Sequence, residues 1–427
     1  VSATTARATR PPDADAVVAH HAAGVLGRPV RVEELGDALA DLAFDTLSRG
    51  EEVRSPRRDR WGNWDWSFSD AHRRGELFVP WLDRRLGDAV GGSPTAARWP
   101  GGAPFALCLT HDVDSVARHH VPVASVREAV RRLSGDGSTA ARVGELARVS
   151  AKFALQRRRL GGGTDPRWSF ERWLRAEDAH GFHSTFFTFP SHVARPHACD
   201  ANYRYSDPVR FEGRAMRCDA MFRAIADAGW EIGLHGSYHS ATDAEILRGE
   251  REALERAIER PVVSTRQHYL HYDPARTPAV HEAAGFRADS TQGFNRSIGF
   301  RAGTAFPYRC WDWTASRATS VLEVPQHVMD GALFAPFSLD YDADLAVRHV
   351  VQVMDEVERV GGCLTLNFHT DYVDVPTYWT TYERLLAEAA RRGAWGCSVG
   401  ELLDWWTTRA PHAAAAAHAA SADGATP

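Results

Sequence analysis

From residue 105 onward, short apolar runs alternate with longer amphipathic stretches. Eight of the runs read as strands, at 105–110, 184–189, 230–235, 262–267, 286–290, 321–325, 363–368 and 395–399. Each has the length of a strand and carries apolar residues, several of them ending in polar side chains. The stretches between them have helical spacing. Val347, Val350, Val351, Met354 and Val357 share one helix face, and the pattern stops at Gly361-Gly362, a C-terminal signal. Leu247, Leu254 and Ile258 share another face, behind Thr242-Asp-Ala-Glu245, which has the form of a capping box. Strands that alternate with helices predict an α/β fold with a parallel sheet coated by helices. Seven or eight such units predict a distorted TIM-like (β/α) barrel, closed or nearly so, with an open doubly wound sheet as the alternative.

The regular pattern occupies residues 101–410. Residues 16–100 precede it as an accessory region. It holds helix-like sequence from Val30 to Leu47, the segment Arg60-Trp-Gly-Asn-Trp-Asp-Trp-Ser67 and an amphipathic piece from Phe78 to Leu86. Gly and Pro around 91–104 mark the boundary. Trp61, Trp64 and Trp66 suit either a stacking platform or packing of this region onto the barrel, and base rates for large aromatics favour packing. The stretch 115–165 is too long for a simple strand-to-helix connection and reads as a helical insertion. A solvated helical hairpin is the more ordinary reading of it, a lid or anion contact the sharper one. Residues 1–15 and the Ala-rich tail 411–427 have no periodic apolar face and read as disordered.

Composition narrows the function classes. The 427 residues are 44% hydrophobic and 25% charged, with a net charge of −5, so no bulk basic field attracts nucleic acid. Lys152 is the sole lysine, a mark of genome composition. No apolar run is long enough to form a transmembrane segment. The opening residues Val1 to Arg7 lack the apolar core of a secretory signal. The six cysteines are scattered without knuckle or redox spacing, and several lie inside apolar runs. Reduced thiols and a cytoplasmic protein are expected.

The candidate chemistry sits where apolar runs end. Phe105-Ala-Leu-Cys-Leu-Thr-His-Asp-Val-Asp114 places Thr110, Asp112 and Asp114 on one strand face, with His111 and Val113 on the other. Trp230-Glu-Ile-Gly-Leu-His-Gly-Ser-Tyr-His239 delivers His235 and His239, four apart, which share a face if a helix starts just after the strand. Asp114, His235 and His239 would form a divalent metal site with Asp112 as the adjacent base. Two later strand ends add Arg266, His268 and Tyr269, and then His369. An Arg beside a base carboxylate keeps it ionised, and a His opposite it suits a general acid. Each signal is ordinary alone; their arrival at successive strand ends is not. Glu323 is weighed as a pocket-lining residue. Arg301 is weighed as an anion binder against a plain loop ion pair.

These motifs resemble the polysaccharide deacetylase family, the NodB-homology group of carbohydrate esterase family 4, over about residues 105–405. Thr110-His-Asp-Val-Asp114 stands for the first motif, with Asp112 at the base position and Val113 where the metal-binding Asp usually stands, so that role passes to Asp114. His235-Gly-Ser-Tyr-His239 stands for the His-(Ser/Thr)-x-x-His motif. Arg266-Gln-His-Tyr269 stands for Arg-x-Pro-Tyr, with His268 in place of Pro. Asn367-Phe-His369 stands for Leu-x-His. The fourth motif has only loose candidates, Asp289 and Cys310-Trp-Asp-Trp313. The departures place the chain in a divergent branch.

The resemblance implies a barrel of the NodB type with fewer than eight units. It implies one divalent metal, zinc foremost, and hydrolysis of an N-acetyl group from an amino sugar, with Asp112 activating water and His369 protonating the amine. Tyr269, His268, Arg301 and Asp289 are the substrate-side candidates. With no export signal, the expected substrate is a sugar nucleotide, a lipid-linked saccharide or another N-acetylated precursor. Hydrolysis of another C–N bond, such as a cyclic amide, is the second reading. A carbohydrate-binding relic without turnover is the third.

Overall fold

The computed structural model describes residues 10–91, 99–116 and 169–408. Its strands are β1 (Ala106–Val113), β2 (Thr185–Thr188), β3 (Pro208–Phe211), β4 (Arg214–Arg217), β5 (Glu231–Gly236), β6 (Ser264–Gln267), β7 (Ala288–Asp289), β8 (Tyr308–Asp312), β9 (Arg317–Glu323), β10 (Val328–Met329), β11 (Cys363–Asn367) and β12 (Trp395–Cys397). All eight expected strands are present. The order β10-β11-β1-β2-β5-β6-β7-β9-β8 is parallel throughout except for the β8–β9 hairpin.

One continuous segment joins the two edges of this curled sheet. β9 pairs with β7 at Leu322 and Glu323, and β10, five residues on, pairs with β11 at Val328 and Met329. Between them the backbone N–H groups of Val324 and His327 donate to Asp289 and Thr365, at 2.7 and 3.1 Å. The staves are therefore β1, β2, β5, β6, β7, the β9–β10 segment and β11, a distorted barrel with fewer than eight units, as expected. The run at 395–399 is not a stave. β12 pairs with the first half of β1, and β2 takes the second half of the same flank. The β3–β4 hairpin and β8 were not legible as strands.

Helices cover the outside. In the helix Ala343–Val360 the buried residues include Val350, Met354 and Val357, and Gly361 ends it at φ 65°. In the helix Ala244–Ile258 the face Leu247, Leu254 and Ile258 is buried. Its cap is Asp243, which accepts from the N–H groups of Glu245 and Ile246 at 3.1 Å, one residue beyond the expected Thr242. Among the described residues no helix is long and apolar enough to cross a membrane.

The N-terminal residues pack into the same core as the barrel. The stretch from Val30 to Leu47 is broken at Gly36, φ 72°, into the helices Val32–Leu35 and Asp37–Leu47. Phe44 packs edge-on against Trp311 at 4.9 Å, and Asp83 accepts the Ala305 N–H at 2.7 Å. The Cys310–Trp313 segment thus receives the N-terminal helices, and Trp313 donates Nε1–H to the Ser48 carbonyl at 2.8 Å. Residues 10–15, expected to be disordered, belong to the fold: Arg10 pairs with Asp15 at 2.6 Å and a helix begins at Ala14. The tail 411–427 and all but the first two residues of the expected insertion 115–165 lie outside the described residues.

Candidate metal centre and active site

Parallel strands deliver all their C-terminal ends to one rim, and the candidate residues meet there. Thr110 and Asp112 share a face of β1, as alternation requires. Nη1 of Arg266, from β6, donates to Thr110 Oγ1 at 2.8 Å and to Asp112 Oδ1 at 3.0 Å. The rest of that guanidinium is held by Ser290, through its carbonyl at 2.7 Å and its hydroxyl at 2.8 Å. The Phe187 ring lies 4.6 Å beneath it. Asn367, at the end of β11, donates to Asp112 Oδ2 at 2.8 Å. Burial pushes the Asp112 carboxyl up, but the charges of His235, Arg266 and His369 outweigh it and hold the group down at about 2.

Asp114, His235 and His268 form a second group. Asp114 Oδ1 lies 3.5 Å from Nε2 of His235 and 3.5 Å from Nε2 of His268. Two ligands about 2.0–2.2 Å from a tetrahedral cation stand about 3.3–3.6 Å apart, so this spacing is that of ligands to a common ion. Other observations fit the same role. His235 donates Nδ1–H to the Arg266 carbonyl at 2.9 Å, which orients the ring and leaves Nε2 as a lone pair. That Nε2 and Asp114 Oδ1 are buried with no hydrogen-bond partner among the described residues. Burial raises the Asp114 carboxyl, and the imidazoles of His268, His235 and His369 more than offset it, so the group stays anionic. Burial lowers the His268 ring, and Asp114 and Asp200 overcome that to favour its cationic form.

His239 is not part of this group. After His235 the chain passes through Ser237 in an extended conformation and enters a 3-10 turn, Tyr238–Thr242. The two histidines therefore never share an α-helical face. A Cβ at Gly236 would meet the Gln267 side chain, with Oε1 at 2.6 Å, so a larger residue at this strand end would require that amide to move. The ring of His239 sits edge-on to His197 at 5.5 Å instead. The third donor is His268, the residue that replaces proline in the third motif.

His369 closes the opposite side. Its Nε2 lies 3.8 Å from Asp112 Oδ2 and 4.0 Å from Asp114 Oδ2. Asp330, just after β10, grips it twice, accepting from Nδ1 and from the backbone N–H at 2.7 Å each. Burial lowers the ring's pKa, but Asp330 and then Asp112 and Asp114 raise it to about 10. Asp330, Asn367 and Ser290 were not singled out from sequence. Asn367 carried a usable signal, an amide ending an otherwise apolar strand; Asp330 and Ser290 carried none.

Tyr269 is at the mouth, 38% exposed, with its ring 4.9 Å from that of Trp61. It follows His268 with φ 60°, a strained value for a bulky residue, and Asn63 and Asn295 hold its carbonyl at 2.8 and 2.9 Å. Trp64 packs with Leu77 and Phe294, the favoured packing role. Two substrate-side candidates are placed elsewhere. Arg301 is buried in an ion pair with both oxygens of Glu52, at 2.9 and 2.8 Å, and is not offered to a ligand. Asp289 is fully buried, accepting from the Thr291 N–H at 3.0 Å and lying 3.2 Å from His281. Glu323, also fully buried, accepts from the Gln292 N–H at 2.9 Å. His111 points into the core between the Phe368 carbonyl at 2.7 Å and Glu177 at 2.8 Å, away from the site as alternation predicted.

No protein-family profile matches the chain, and no curated protein does. Solved structures similar to it include a Mycobacterium smegmatis protein assigned as a polysaccharide deacetylase. The two share 20% identity with a TM-score of 0.46, over 74% of this chain and 94% of that one. PuuE allantoinase is similar at 14% identity and TM-score 0.46, over 74% and 95%. A Pseudomonas aeruginosa PAO1 protein, also assigned as a polysaccharide deacetylase, is similar at 16% identity and TM-score 0.46, over 73% and 94%. At this level of similarity none of them assigns an activity to this chain.

Proposed function

We propose that this protein is a metal-dependent hydrolase of a non-peptide C–N bond, a deacetylase that removes the N-acetyl group of an amino sugar or glycan precursor. The observation that supports it most is the single rim at which three groups of different character converge. A carboxylate is fixed by Arg266 and Asn367, three donors are spaced as cation ligands, and an imidazole is backed by Asp330.

Asp114, His235 and His268 would hold a divalent cation, zinc foremost, which would supply positive charge for the amide oxygen and acidify water. Asp112 would take the proton of the attacking water. Its low pKa keeps it ionised at neutral pH but makes it a weak base, so it works only on water that is already acidic. Arg266 and Asn367 bind its two oxygens and fix the direction in which the proton is received. His369 stays protonated through neutral pH and presents Nε2–H to the departing nitrogen; C–N cleavage then releases acetate and the free amine. Tyr269 and Trp61 offer ring faces to a sugar at the mouth.

The test is metal content followed by acetate release from N-acetylated hexosamines, their oligomers and their nucleotide conjugates. Stoichiometric cation with acetate release supports the reading. Stoichiometric cation with hydrolysis of a cyclic amide and no acetate supports the second reading, another C–N hydrolase. A purified chain that retains no divalent ion under any loading condition sinks both and leaves the binding relic.

A further inference from the structure

His235 and His268 both turn Nε2 toward Asp114, yet they differ at the other ring nitrogen. His235 gives Nδ1–H to a backbone carbonyl, the usual backing of a metal-binding imidazole. Among the described residues Nδ1 of His268 has no hydrogen-bond partner, although the residue is only 4% exposed. It faces the loop after β2. There it lies 3.7 Å from Asp200 Oδ1, and the Cys199 thiol completes a trio of donor atoms that all lie within 4.8 Å of one another. A separation of 3.7 Å is too long for a hydrogen bond and close to that of two ligands on one cation, about 3.3–3.6 Å for nitrogen and oxygen.

The trio is built, not incidental. Asp200 is held by the His197 N–H on Oδ2 at 2.6 Å and by the Tyr238 N–H on Oδ1 at 3.0 Å. Nδ1 of His197 stands 2.9 Å from the Cys199 sulfur, where it can accept the thiol proton. Asp200 and His268 are buried, while Cys199 is partly exposed, so the group has a buried floor and an open side.

We propose that Cys199, Asp200 and Nδ1 of His268 form a second divalent-cation site, and that the His268 ring bridges it to the Asp114 site. Thiolate, carboxylate and imidazole together select a thiophilic ion such as zinc over magnesium or calcium. Binding releases the Cys199 thiol proton. When both sites are filled it also releases the second ring proton of His268, so that an imidazolate links the cations. Such an ion ties the β2 loop to the end of β6 and fixes the His268 ring. The site shares His268 with the proposed catalytic centre but needs neither Asp114 nor His235, so the two stand or fall separately.

The test is titration of the metal-stripped full chain with Co2+, reading both stoichiometry and the near-ultraviolet charge-transfer band of a thiolate–cobalt bond. Wild-type protein is expected to bind two equivalents and to show the band. Cys199→Ser is expected to bind one equivalent, lose the band and keep its circular dichroism. Asp114→Ala is expected to bind one equivalent and keep the band. If Asp114→Ala and His235→Ala leave the stoichiometry unchanged while Cys199→Ser removes the band, the catalytic reading fails and the second site stands. No band in the wild type, or a band that survives in Cys199→Ser, overturns the second site. The second result would assign the band to the other cysteines, all of which are buried.

Discussion

Two buried charge clusters in this molecule look alike in sequence and behave oppositely in structure. Around Glu52 every charge is answered. Arg301 binds both carboxylate oxygens at 2.9 and 2.8 Å, Arg49 binds one of them at 3.2 Å through Nε, and each Arg gives its remaining Nη1 to a backbone carbonyl. Around Asp114 the groups stand 3.5–4.0 Å apart, and polar atoms are buried without hydrogen-bond partners among the described residues. A cluster with satisfied valences holds the fold together, here by joining the N-terminal helices to the barrel. A cluster with converging, unsatisfied donors is arranged for something that is not part of the polypeptide. Burial alone does not separate the two; the spacing does.

The strongest way to break this contrast is to remove a donor. Asp114→Ala or His235→Ala should abolish stoichiometric binding at the proposed metal centre and bring hydrolysis to background, while the thermal stability of Asp114→Ala changes little, because the buried Asp114 Oδ1 makes no hydrogen bond among the described residues. Metal analysis beside a melting curve checks both halves. A fall in melting temperature comparable to that of a broken ion pair would make Asp114 structural. Asp112→Asn comes next. It should retain the cation and lower kcat by about 10²–10⁴, the usual contribution of a positioned base. Loss of metal along with rate would move Asp112 into the ligand set.

The reciprocal test is Glu52→Gln. It leaves two buried guanidiniums without a counter-charge and should destabilise the fold by about 3–5 kcal/mol, with activity per folded molecule unchanged. Burial raises the Glu52 carboxyl, but Arg301 and Arg49 hold it at about 2, below the ordinary 4.5. Its contribution is therefore fully present above pH 4.5 and is lost as pH falls toward 2. Denaturant titrations between those values should show a steep acid limb in wild type and a flatter one in the variant. Equal limbs would mean that the cluster contributes little.

The same contrast explains what was legible beforehand. Strand identity was readable because buried parallel strands carry short apolar runs, and alternation along β1 correctly turned Asp112 toward the site and His111 away from it. What failed depended on geometry that periodicity does not encode. His239 was grouped with His235 on the assumption of an α-helix, and a 3-10 turn followed instead. Arg301 is a charged residue in loop-like sequence and Asp289 one at a strand end, and only the docking of Glu52 and the burial of Asp289 beside Thr291 and His281 show that each is engaged inside the fold. His268 was named as a substrate contact, yet its place among the donors depends on the strained turn at Tyr269, which no residue pattern announces.

Asp330 gives the smallest expected effect and sharpens the comparison most, because it belongs to the active rim yet is itself satisfied. It accepts two hydrogen bonds from His369 and faces that ring as a full charge. Burial works to lower the ring's pKa, and Asp330 is the largest influence that raises it from 6.5 to about 10. Asp330→Asn preserves the shape and removes the charge. An opposite charge this near moves a pKa by about 1–3 units, so the alkaline limb of kcat/KM should move to lower pH by that order. The sign in stability is the same. A raised histidine pKa contributes stability below pH 6.5 that is lost as pH climbs toward 10, and the variant should lose little over that interval. Near neutral pH, kcat should fall by no more than about two-fold, less than for Asp112→Asn, because a pKa brought from about 10 to about 7–9 leaves at least half of the rings protonated at pH 7. A fall in rate with an unmoved alkaline limb would mean that Asp330 only holds the ring, and that the proton for the leaving amine comes from another group.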